Sequence, residues 1–266
     1  MTPEPAGAEI YQSARLAAAY AFSRPAVHPH VVDLIARRLG LTAGRRCRRA
    51  LDIGCGAGLS AAALQPVSDI VMGVEPAEAM LAHRRSVAPG VSVAVGTAEA
   101  LPFRDAAFDL VTAAGALNYA DRTLALGEVG RVLASSGTLV IYDFSGGRKL
   151  HESPALESWF SAFEGRYPYQ EGYTLDVRTI DYGPLGLRLV AFDPFEVVLP
   201  MDFDAYLQYV LGETNVERAI SGGIPHTDVL NWCRETLEPL FERGSMGVVF
   251  DGYAAFVTPD PEKECL

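Results

Sequence analysis

The sequence predicts an α/β protein with a doubly wound, mostly parallel sheet of seven strands and helices on both faces. Apolar runs of strand length alternate with helical patterns between residues 46 and 145. A loop with three glycines follows the first of these strands, and an acid ends the second. Strands that are apolar throughout are typical of a parallel sheet covered on both faces. Right-handed crossovers then place the helices on both sides of it.

Composition predicts one domain spanning residues 1–266 and argues against several partners. The chain is 49% hydrophobic and 21% charged, and no apolar run approaches the roughly 18 residues that span a bilayer. The net charge of -11 repels phosphate backbones and anionic membrane surfaces, so we expect neither nucleic acid nor membrane as a partner. The first residues lack a secretory signal pattern, which predicts the cytoplasm. The four cysteines show no paired metal-ligand spacing, so no metal is expected, and the oligomeric state stays open.

The elements follow in order. Residues 1–45 form an N-terminal helical cover, helical from Ile10 to Gly40 with a break at Arg24-Pro25, because proline disfavours helix in the residue before it. The core, residues 46–145, carries five predicted strands: RRALDI, DIVMGVEP, VSVAVGTAEALPF, FDLVTAAGALNY and TLVIYDF. Helices are predicted in LSAAALQPV, AEAMLAHRRS and TLALGEVGRVLA.

A lid, or cap, is predicted after the fifth strand, over residues 146–225. Its first part is irregular and rich in aromatic side chains that either line an apolar pocket or form the core of the lid. These are Trp159, Phe160, Phe163, Tyr167, Tyr169 and Tyr173. One or two strands in LRLVAFDPFEVVLPMDF and a short helix in DAYLQYVLG follow. Residues 226–266 are predicted to hold a last helix, HTDVLNWCRETLEPLFER, and a closing hairpin, GVVFDGYAAFVTP.

The glycine loop of LDIGCGAGLS lies where doubly wound sheets bind ligands. Its glycines are spaced G-x-G-x-G, and the third glycine of a dinucleotide-binding loop would fall at Leu59, which disfavours an NAD-dependent oxidoreductase. No Gly-Lys-Ser/Thr follows, which excludes a P-loop. Glu75, about 20 residues on, can accept hydrogen bonds from ribose hydroxyls. A tight turn without ligand, and a Glu75 that only starts the next helix before Pro76, remain alternatives.

Four segments resemble successive motifs of class I S-adenosylmethionine-dependent methyltransferases of the small-molecule type (methyltransferase type 11-like). They are LDIGCGAG, GVEPAEAML, GTAEALPFRDAAFDLV and EVGRVLASSGTLVIYDF, and the likeness spans about residues 10–145. The resemblance implies that S-adenosylmethionine is the cofactor. It places the methionine part of this cofactor against the first loop, at Asp52, Gly54, Cys55, Gly56 and Gly58.

Further cofactor contacts are implied by the same resemblance. Glu75 would hold the ribose hydroxyls with Pro76 beside it, and Ala114 would lie near the cofactor. Thr97 stands where the family usually has an adenine-binding aspartate; Ala98 follows it, and Glu99 either compensates or is solvated. Tyr20 and Arg24 match a Tyr-x-x-x-Arg-Pro segment that folds over the cofactor. Arg24 then pairs with the cofactor carboxylate or is simply an exposed arginine at a helix end.

The function implied is in-line transfer of a methyl group from S-adenosylmethionine to a small-molecule metabolite, with oxygen favoured over nitrogen or carbon. Such a transfer mainly needs alignment of the acceptor, so a missing base does not argue against it. Catalytic candidates are Asn118 and Tyr119, after the fourth strand, and His151 and His226; each has a structural alternative as a capping or surface residue. We expect His28 and His30 to be surface or helix-cap residues. The alternative function is an S-adenosylmethionine-binding protein that has lost transfer and serves a different reaction or a partner subunit.

Overall fold

The computed structural model describes residues 8–151, 153–169, 175–241 and 244–261. Within these ranges, the sheet has eight strands in the order β3-β2-β1-β4-β5-β8-β6, and β7 pairs with β8. Strands β1 to β5 pair in parallel, and β6, β7 and β8 join antiparallel. The strands are β1 Cys47–Ile53, β2 Ser68–Glu75, β3 Ser92–Val95, β4 Phe108–Ala114, β5 Leu133–Phe144, β6 Lys149–Leu150, β7 Leu187–Met201 and β8 Met246–Pro259.

Nine α-helices cover this sheet in the described part of the chain. They are α1 Ala14–Phe22, α2 Val27–Leu39, α3 Leu59–Ala63, α4 Arg84–Val87, α5 Arg122–Val132, α6 Ala155–Arg166, α7 Phe203–Leu211, α8 Thr214–Ser221 and α9 His226–Leu237. Short 3-10 helices span Ala8–Gln12, Glu78–His83, Ala116–Tyr119, Val177–Thr179, Gly183–Leu185 and Glu238–Phe241. The predicted break at Arg24-Pro25 is confirmed by the gap between α1 and α2.

Two hydrophobic clusters lie on opposite faces of the sheet, because side chains alternate along each strand. Val140 of β5 packs in the cluster that holds residues of α2, α6, α7 and α9. Its neighbours Leu139 and Ile141 pack in the other cluster, with α5. The predicted doubly wound α/β class, with helices on both faces, is therefore confirmed. The strand count differs from the predicted seven because Lys149–Leu150 adds a two-residue strand.

Two predicted elements of the core and the lid differ from the structure. The helix predicted in AEAMLAHRRS is a 3-10 helix, Glu78–His83, followed by the single turn of α4. The segment predicted to be irregular contains α6, whose buried Leu156, Trp159, Phe160 and Phe163 have helical spacing. The aromatic content obscured that period. Tyr173, a predicted lid aromatic, lies outside the described residues.

The predicted C-terminal hairpin is wrong, because residues 246–259 form the single strand β8. The Asp-Gly pair at its centre is a common hairpin signal. In the structure, Gly252 instead allows close packing: a Cβ there would lie 2.7 Å from Phe195 Cζ on β7 and even closer to the Asp143 carbonyl oxygen on β5. The glycine therefore lets β8 lie between β5 and β7 without a turn.

Two kinds of feature are absent from the described residues. No helix in these ranges is long and apolar enough to cross a membrane. Over the same part of the chain, no group of three or more His, Cys, Asp or Glu side chains is arranged to hold a metal ion. The division of the chain into cover, core, lid and C-terminal part remains a prediction.

Candidate cofactor site

The glycine loop leaves β1 at the carboxyl edge of the sheet with its backbone in the left-handed region. Gly54 has φ +64° and Gly58 has φ +102°, conformations that side-chain-bearing residues rarely adopt. Space is also lacking, since a Cβ on Gly54 would lie 2.5 Å from Ala116 Cβ and one on Gly58 would lie 2.8 Å from Ala88 Cβ. The glycines therefore let another group lie close to the backbone of the loop, and the loop itself contacts the segment just after β4.

Asp52 supports this loop from within the sheet. Its carboxylate is fully buried and accepts hydrogen bonds from Ser60 Oγ at 2.5 Å and Thr112 Oγ1 at 2.7 Å. Burial raises the pKa of Asp52 to about 6, although these two hydrogen bonds oppose the rise. The side chain therefore ties β1 to β4 and to the helix after the loop. Cys55, within the loop, is buried and packs under Gly73.

Glu75 ends β2 and faces the glycine loop. One carboxylate oxygen accepts from the Gly56 N–H at 2.9 Å, and the other accepts from the Ala77 N–H at 2.9 Å. Glu75 is 7% exposed, and burial raises its pKa against the effect of these two N–H donors. The structure therefore brings Glu75 and the loop together as predicted. By accepting from Ala77, the N-cap of the following 3-10 helix, Glu75 also takes the structural role that was its alternative, and its contact with a ribose remains a prediction.

The N-terminal cover packs on the same edge. Tyr11 and Tyr20 contact a small cluster of Ala17, Ala77 and Met80, beside Glu75. The guanidinium of Arg24 lies 3.9 Å from the centre of the Tyr20 ring, and its Nη1 donates to Glu213 Oε1 at 2.7 Å. The Arg24 side chain is only 18% exposed. The alternative of an exposed arginine at a helix end therefore does not hold, and the pairing of Arg24 with a cofactor carboxylate remains a prediction.

The exit of β3 carries the predicted adenine-side residues. Thr97 is exposed and pairs through its backbone with Ala100, while Ala98 is half-buried against the core. Glu99 is not merely solvated, because it accepts a hydrogen bond from the Asp121 N–H at 2.8 Å. Asp121 is the N-cap of α5, so Glu99 links the β3 exit to the start of that helix.

β4 ends at Ala114, and the catalytic candidates Asn118 and Tyr119 lie on the short 3-10 helix that follows it. Tyr11 Oη donates to Tyr119 Oη at 2.9 Å, so Tyr119 meets the N-terminal cover. Asn118 Nδ2 donates to Asp143 Oδ2 at 3.0 Å. Burial raises the pKa of Asp143, and the bond from Asn118 opposes that rise. Sequence reasoning missed Asp143, although its place at the carboxyl end of the fifth strand was a usable signal.

The histidines fall into two groups. His151 and His226 are exposed, the first just after β6 and the second at the start of α9. His30 is also exposed. His28 differs from the prediction: it is half-buried, and its Nδ1 is hydrogen-bonded to Tyr142 Oη at 2.9 Å.

Comparison with known proteins agrees with this geometry. Residues 51–141 match the family described as "Methyltransferase domain". The matched segment runs from β1 to β5. The match confirms the predicted resemblance to class I methyltransferases of the small-molecule type. It also supports S-adenosylmethionine, the cofactor that such a domain takes.

Relatives share the domain rather than their whole length. The chain is 41% identical over 116 residues to the demethylmenaquinone methyltransferase of Thermus thermophilus, covering 41% of this chain and 52% of the relative. It is 34% identical over 142 residues to the ubiquinone/menaquinone biosynthesis C-methyltransferase UbiE of Geobacter sulfurreducens, covering 46% and 55%. The chain thus spans about half the length of these relatives.

The fold is shared more widely. A solved structure from Anaeromyxobacter dehalogenans, described as a proposed type II methyltransferase, superposes with a TM-score of 0.64 at 20% identity, covering 85% of this chain and 95% of that one. At this identity the likeness shows the fold alone. It includes the elements beyond residue 141, which the domain match does not reach.

Proposed function

We propose that this chain transfers the methyl group of S-adenosylmethionine to a small-molecule acceptor. One observation carries the proposal: the buried carboxylate of Glu75 lies 2.9 Å from the Gly56 nitrogen, at the carboxyl edge of a parallel sheet. An acid in this place can accept two hydrogen bonds from a ribose, and the adjoining loop admits a ligand against its backbone. The match over residues 51–141 supports the same conclusion.

The residues at this edge fit such a cofactor. Gly54 and Gly58 have no room for side chains, so the loop can lie against the methionine part. Tyr20 of the cover packs on the cluster that contains Ala77, two residues after Glu75, and Thr97 is exposed at the exit of β3 for an adenine contact. Asp52 would act from below, by holding the loop, since both of its oxygens already accept hydrogen bonds from protein hydroxyls.

The acceptor would lie near Asn118 and Tyr119, which follow β4 on the cofactor side of the loop. Both side chains are held in place, by Asp143 and Tyr11 respectively, and an alignment role suits a displacement that mainly needs orientation. The preference for oxygen finds no support among the relatives, because one of them is named a C-methyltransferase. We therefore propose methyl transfer without that preference.

Isotope transfer tests the proposal. The purified chain is incubated with S-adenosylmethionine labelled at the methyl group and a panel of phenols, naphthols, amines and carboxylic acids, and labelled products are separated by chromatography. We expect label in at least one product, which mass spectrometry assigns to an oxygen, nitrogen or carbon. Tight binding of S-adenosylhomocysteine with no labelled product would instead favour the alternative, a cofactor-binding protein that has lost transfer. Absence of any binding would contradict both.

A further inference from the structure

Asp143 brings a carboxyl group to the point where the exits of β4 and β5 meet, next to the glycine loop. The two strands pair in parallel up to the residue before Asp143. A Cβ on Gly115 would lie 3.4 Å from Asp143 Oδ1 and 3.7 Å from Oδ2, so the whole carboxyl group lies against the Gly115 backbone. The following residue, Ala116, is in turn the one that a Cβ on Gly54 would meet at 2.5 Å. The carboxyl group is therefore one residue away from the contact between the glycine loop and the β4 exit.

This carboxyl group lies where the sheet opens toward solvent. Residues 137–142 of β5 are buried, whereas Asp143 and the three residues after it are half-buried. Residues 114–116, which follow the buried part of β4, are half-buried as well, and so are Asn118 and Tyr119. The ends of neighbouring strands at this edge are where doubly wound sheets bind ligands. A group bound at this surface would meet Asp143 without displacing the buried part of β5.

The hydrogen bonds of Asp143 determine what this surface offers to a ligand. An ionised carboxylate only accepts hydrogen bonds, so the Asn118 atom at 3.0 Å from Oδ2 is the amide nitrogen, and the amide oxygen points away from the carboxylate. Oδ1 accepts from the Phe144 N–H at 2.9 Å. Each carboxylate oxygen can accept a further hydrogen bond. Asp143 and Asn118 therefore present mainly acceptor atoms, which suit a ligand group rich in N–H donors.

No ion pair compensates the charge of Asp143 within the described residues. The titratable groups that face it are the phenols of Tyr142 on β5 and Tyr253 on β8. Burial raises the pKa of both phenols, and the Asp143 carboxyl group adds to each rise, so both are neutral at pH 7. Asp52, which also acts on Tyr142, adds negative charge. Burial raises the pKa of Asp143 itself against the effect of its N–H donors, which makes the carboxylate a better proton acceptor. An acceptor bound as a cation would supply the missing positive charge.

We infer that the acceptor is an aliphatic amine, bound in its ammonium form by Asp143 and Asn118, and that Asp143 takes the proton whose loss frees the nitrogen lone pair. This inference rests on the proposed function and names its substrate class. The lone pair forms the bond to the methyl carbon. The bond from that carbon to the sulfonium sulfur breaks, and its electron pair remains on sulfur. The proton passes from Asp143 to solvent, and the product leaves as the methylated ammonium ion. A phenol suits this place less well, since its oxygen would become negative beside a carboxylate.

The substrate class is tested with amines and alcohols that share a carbon skeleton. Transfer from methyl-labelled S-adenosylmethionine is measured with benzylamine, 2-phenylethylamine and hexylamine, and with benzyl alcohol, 2-phenylethanol and hexanol. We expect label in at least one amine and in none of the alcohols. Label in an alcohol, or only in phenols and naphthols, overturns the amine class and leaves the proposed function standing. No labelled product from any compound, or no binding of S-adenosylhomocysteine, contradicts the proposed function itself.

The role of Asp143 is tested with the amine that is labelled fastest, from pH 6 to 9. We expect Asp143→Asn to lower kcat/KM for this amine about 100-fold at pH 7, because both the attraction and the proton acceptor are lost. Its remaining activity should rise about tenfold per pH unit as free amine forms in solution, a rise that the unsubstituted protein lacks. Asp33→Asn, which changes an exposed acid on α2, should behave as the unsubstituted protein. Both variants should keep their affinity for S-adenosylmethionine and S-adenosylhomocysteine.

Three other outcomes would overturn the role of Asp143. A loss in Asp143→Asn that is equal at every pH indicates a structural role, and activity equal to that of Asp33→Asn indicates no role. Weaker binding of S-adenosylmethionine with unchanged binding of S-adenosylhomocysteine would put the carboxylate against the sulfonium instead of the acceptor. If Asp143→Asn does not fold, Asn118→Ala replaces it, with an expected loss of about tenfold in kcat/KM for the amine. An unchanged kcat/KM in that variant would overturn the inference.

Discussion

Two buried carboxylates at the carboxyl edge of the sheet differ in the partners of their oxygen atoms. Asp52 accepts only from side-chain hydroxyls of the protein core, Ser60 and Thr112. Among the described residues, Glu75 accepts from backbone N–H groups, of Gly56 in the loop and Ala77 beyond it. A ligand can share Glu75 without dismantling the core, whereas Asp52 is committed to holding strands together. The two residues therefore call for different measurements.

Replacing Glu75 tests the cofactor site directly. We expect Glu75→Ala to weaken the affinity for S-adenosylhomocysteine at least tenfold, or about 1.4 kcal/mol, because two hydrogen bonds to the ribose are lost. Calorimetric titration measures this affinity. Glu78→Ala, an exposed acid one turn further on, is the matched control and should bind like the unsubstituted protein. Unchanged affinity in a folded Glu75→Ala would refute the role of Glu75.

Replacing Asp52 tests its raised pKa through the pH dependence of stability. Because the pKa of Asp52 is about 6 in the folded chain and about 3.8 when unperturbed, the unfolded state ionises first as pH rises. The free energy of unfolding should therefore fall by up to about 3 kcal/mol between about pH 4 and pH 6 on account of this group. Asp52→Asn lacks this contribution. Urea titrations of both proteins at pH 4.5 and 7 measure the free energy of unfolding. The value for the unsubstituted protein minus that for Asp52→Asn should be lower at pH 7 than at pH 4.5. The same value at both pH values would contradict the raised pKa of Asp52.

At the scale of elements, two ion pairs fasten α1 and the α1–α2 turn to the start of α8. Arg24 pairs with Glu213, and Arg15 Nε donates to Glu217 Oε2 at 2.6 Å while its Nη1 donates to the Leu211 carbonyl oxygen. Glu217 is 6% exposed, so its charge depends on Arg15 for compensation. The N-terminal cover thus docks on the segment between β7 and α9 by charge as well as by packing.

Cutting the Arg15 pair should loosen this docking. We expect Glu217→Ala to lower the free energy of unfolding by about 2 kcal/mol, between the values typical of exposed and fully buried pairs, and to speed hydrogen exchange in residues 14–22. Asp105→Ala, which breaks an exposed pair with Arg131, serves as the control and should leave both measurements nearly unchanged. Faster exchange in both variants would show that the effect is not local to α1.

The elements that sequence predicted best are those that periodicity and burial decide together. β1, β2 and β4 are mostly buried along their length and lie between polar turns. That pattern is typical of strands inside a parallel sheet, so the sequence predicts both their positions and their place in the sheet. Beyond residue 145 the same signals mislead. Gly252 looks like a turn residue but serves the close packing of β8 on β5, a tertiary contact that local sequence cannot show. His28 looks like a surface residue because its partner Tyr142 is 114 positions away.

For the molecule as a whole, the sheet brings together residues that are far apart in sequence. The candidate cofactor site draws on the cover at Tyr20, the loop at Gly56, β2 at Glu75 and the helix after β4 at Tyr119. Motif spacing predicted Gly56, Glu75 and Tyr119, because each lies at or just after the end of a strand at one edge of a parallel sheet.

A site assembled from so many elements should link cofactor binding to global stability. A ligand that binds only the folded chain adds about 2.7 kcal/mol at a concentration 100 times its Kd. For a chain of 266 residues this corresponds to a rise in Tm of about 5 to 10 °C. We expect that shift with S-adenosylhomocysteine in scanning calorimetry, and none with NADH, because Leu59 replaces the third glycine of a dinucleotide loop. Glu75→Ala at the same ligand concentration should shift less. A rise with NADH alone would contradict the assignment of the cofactor.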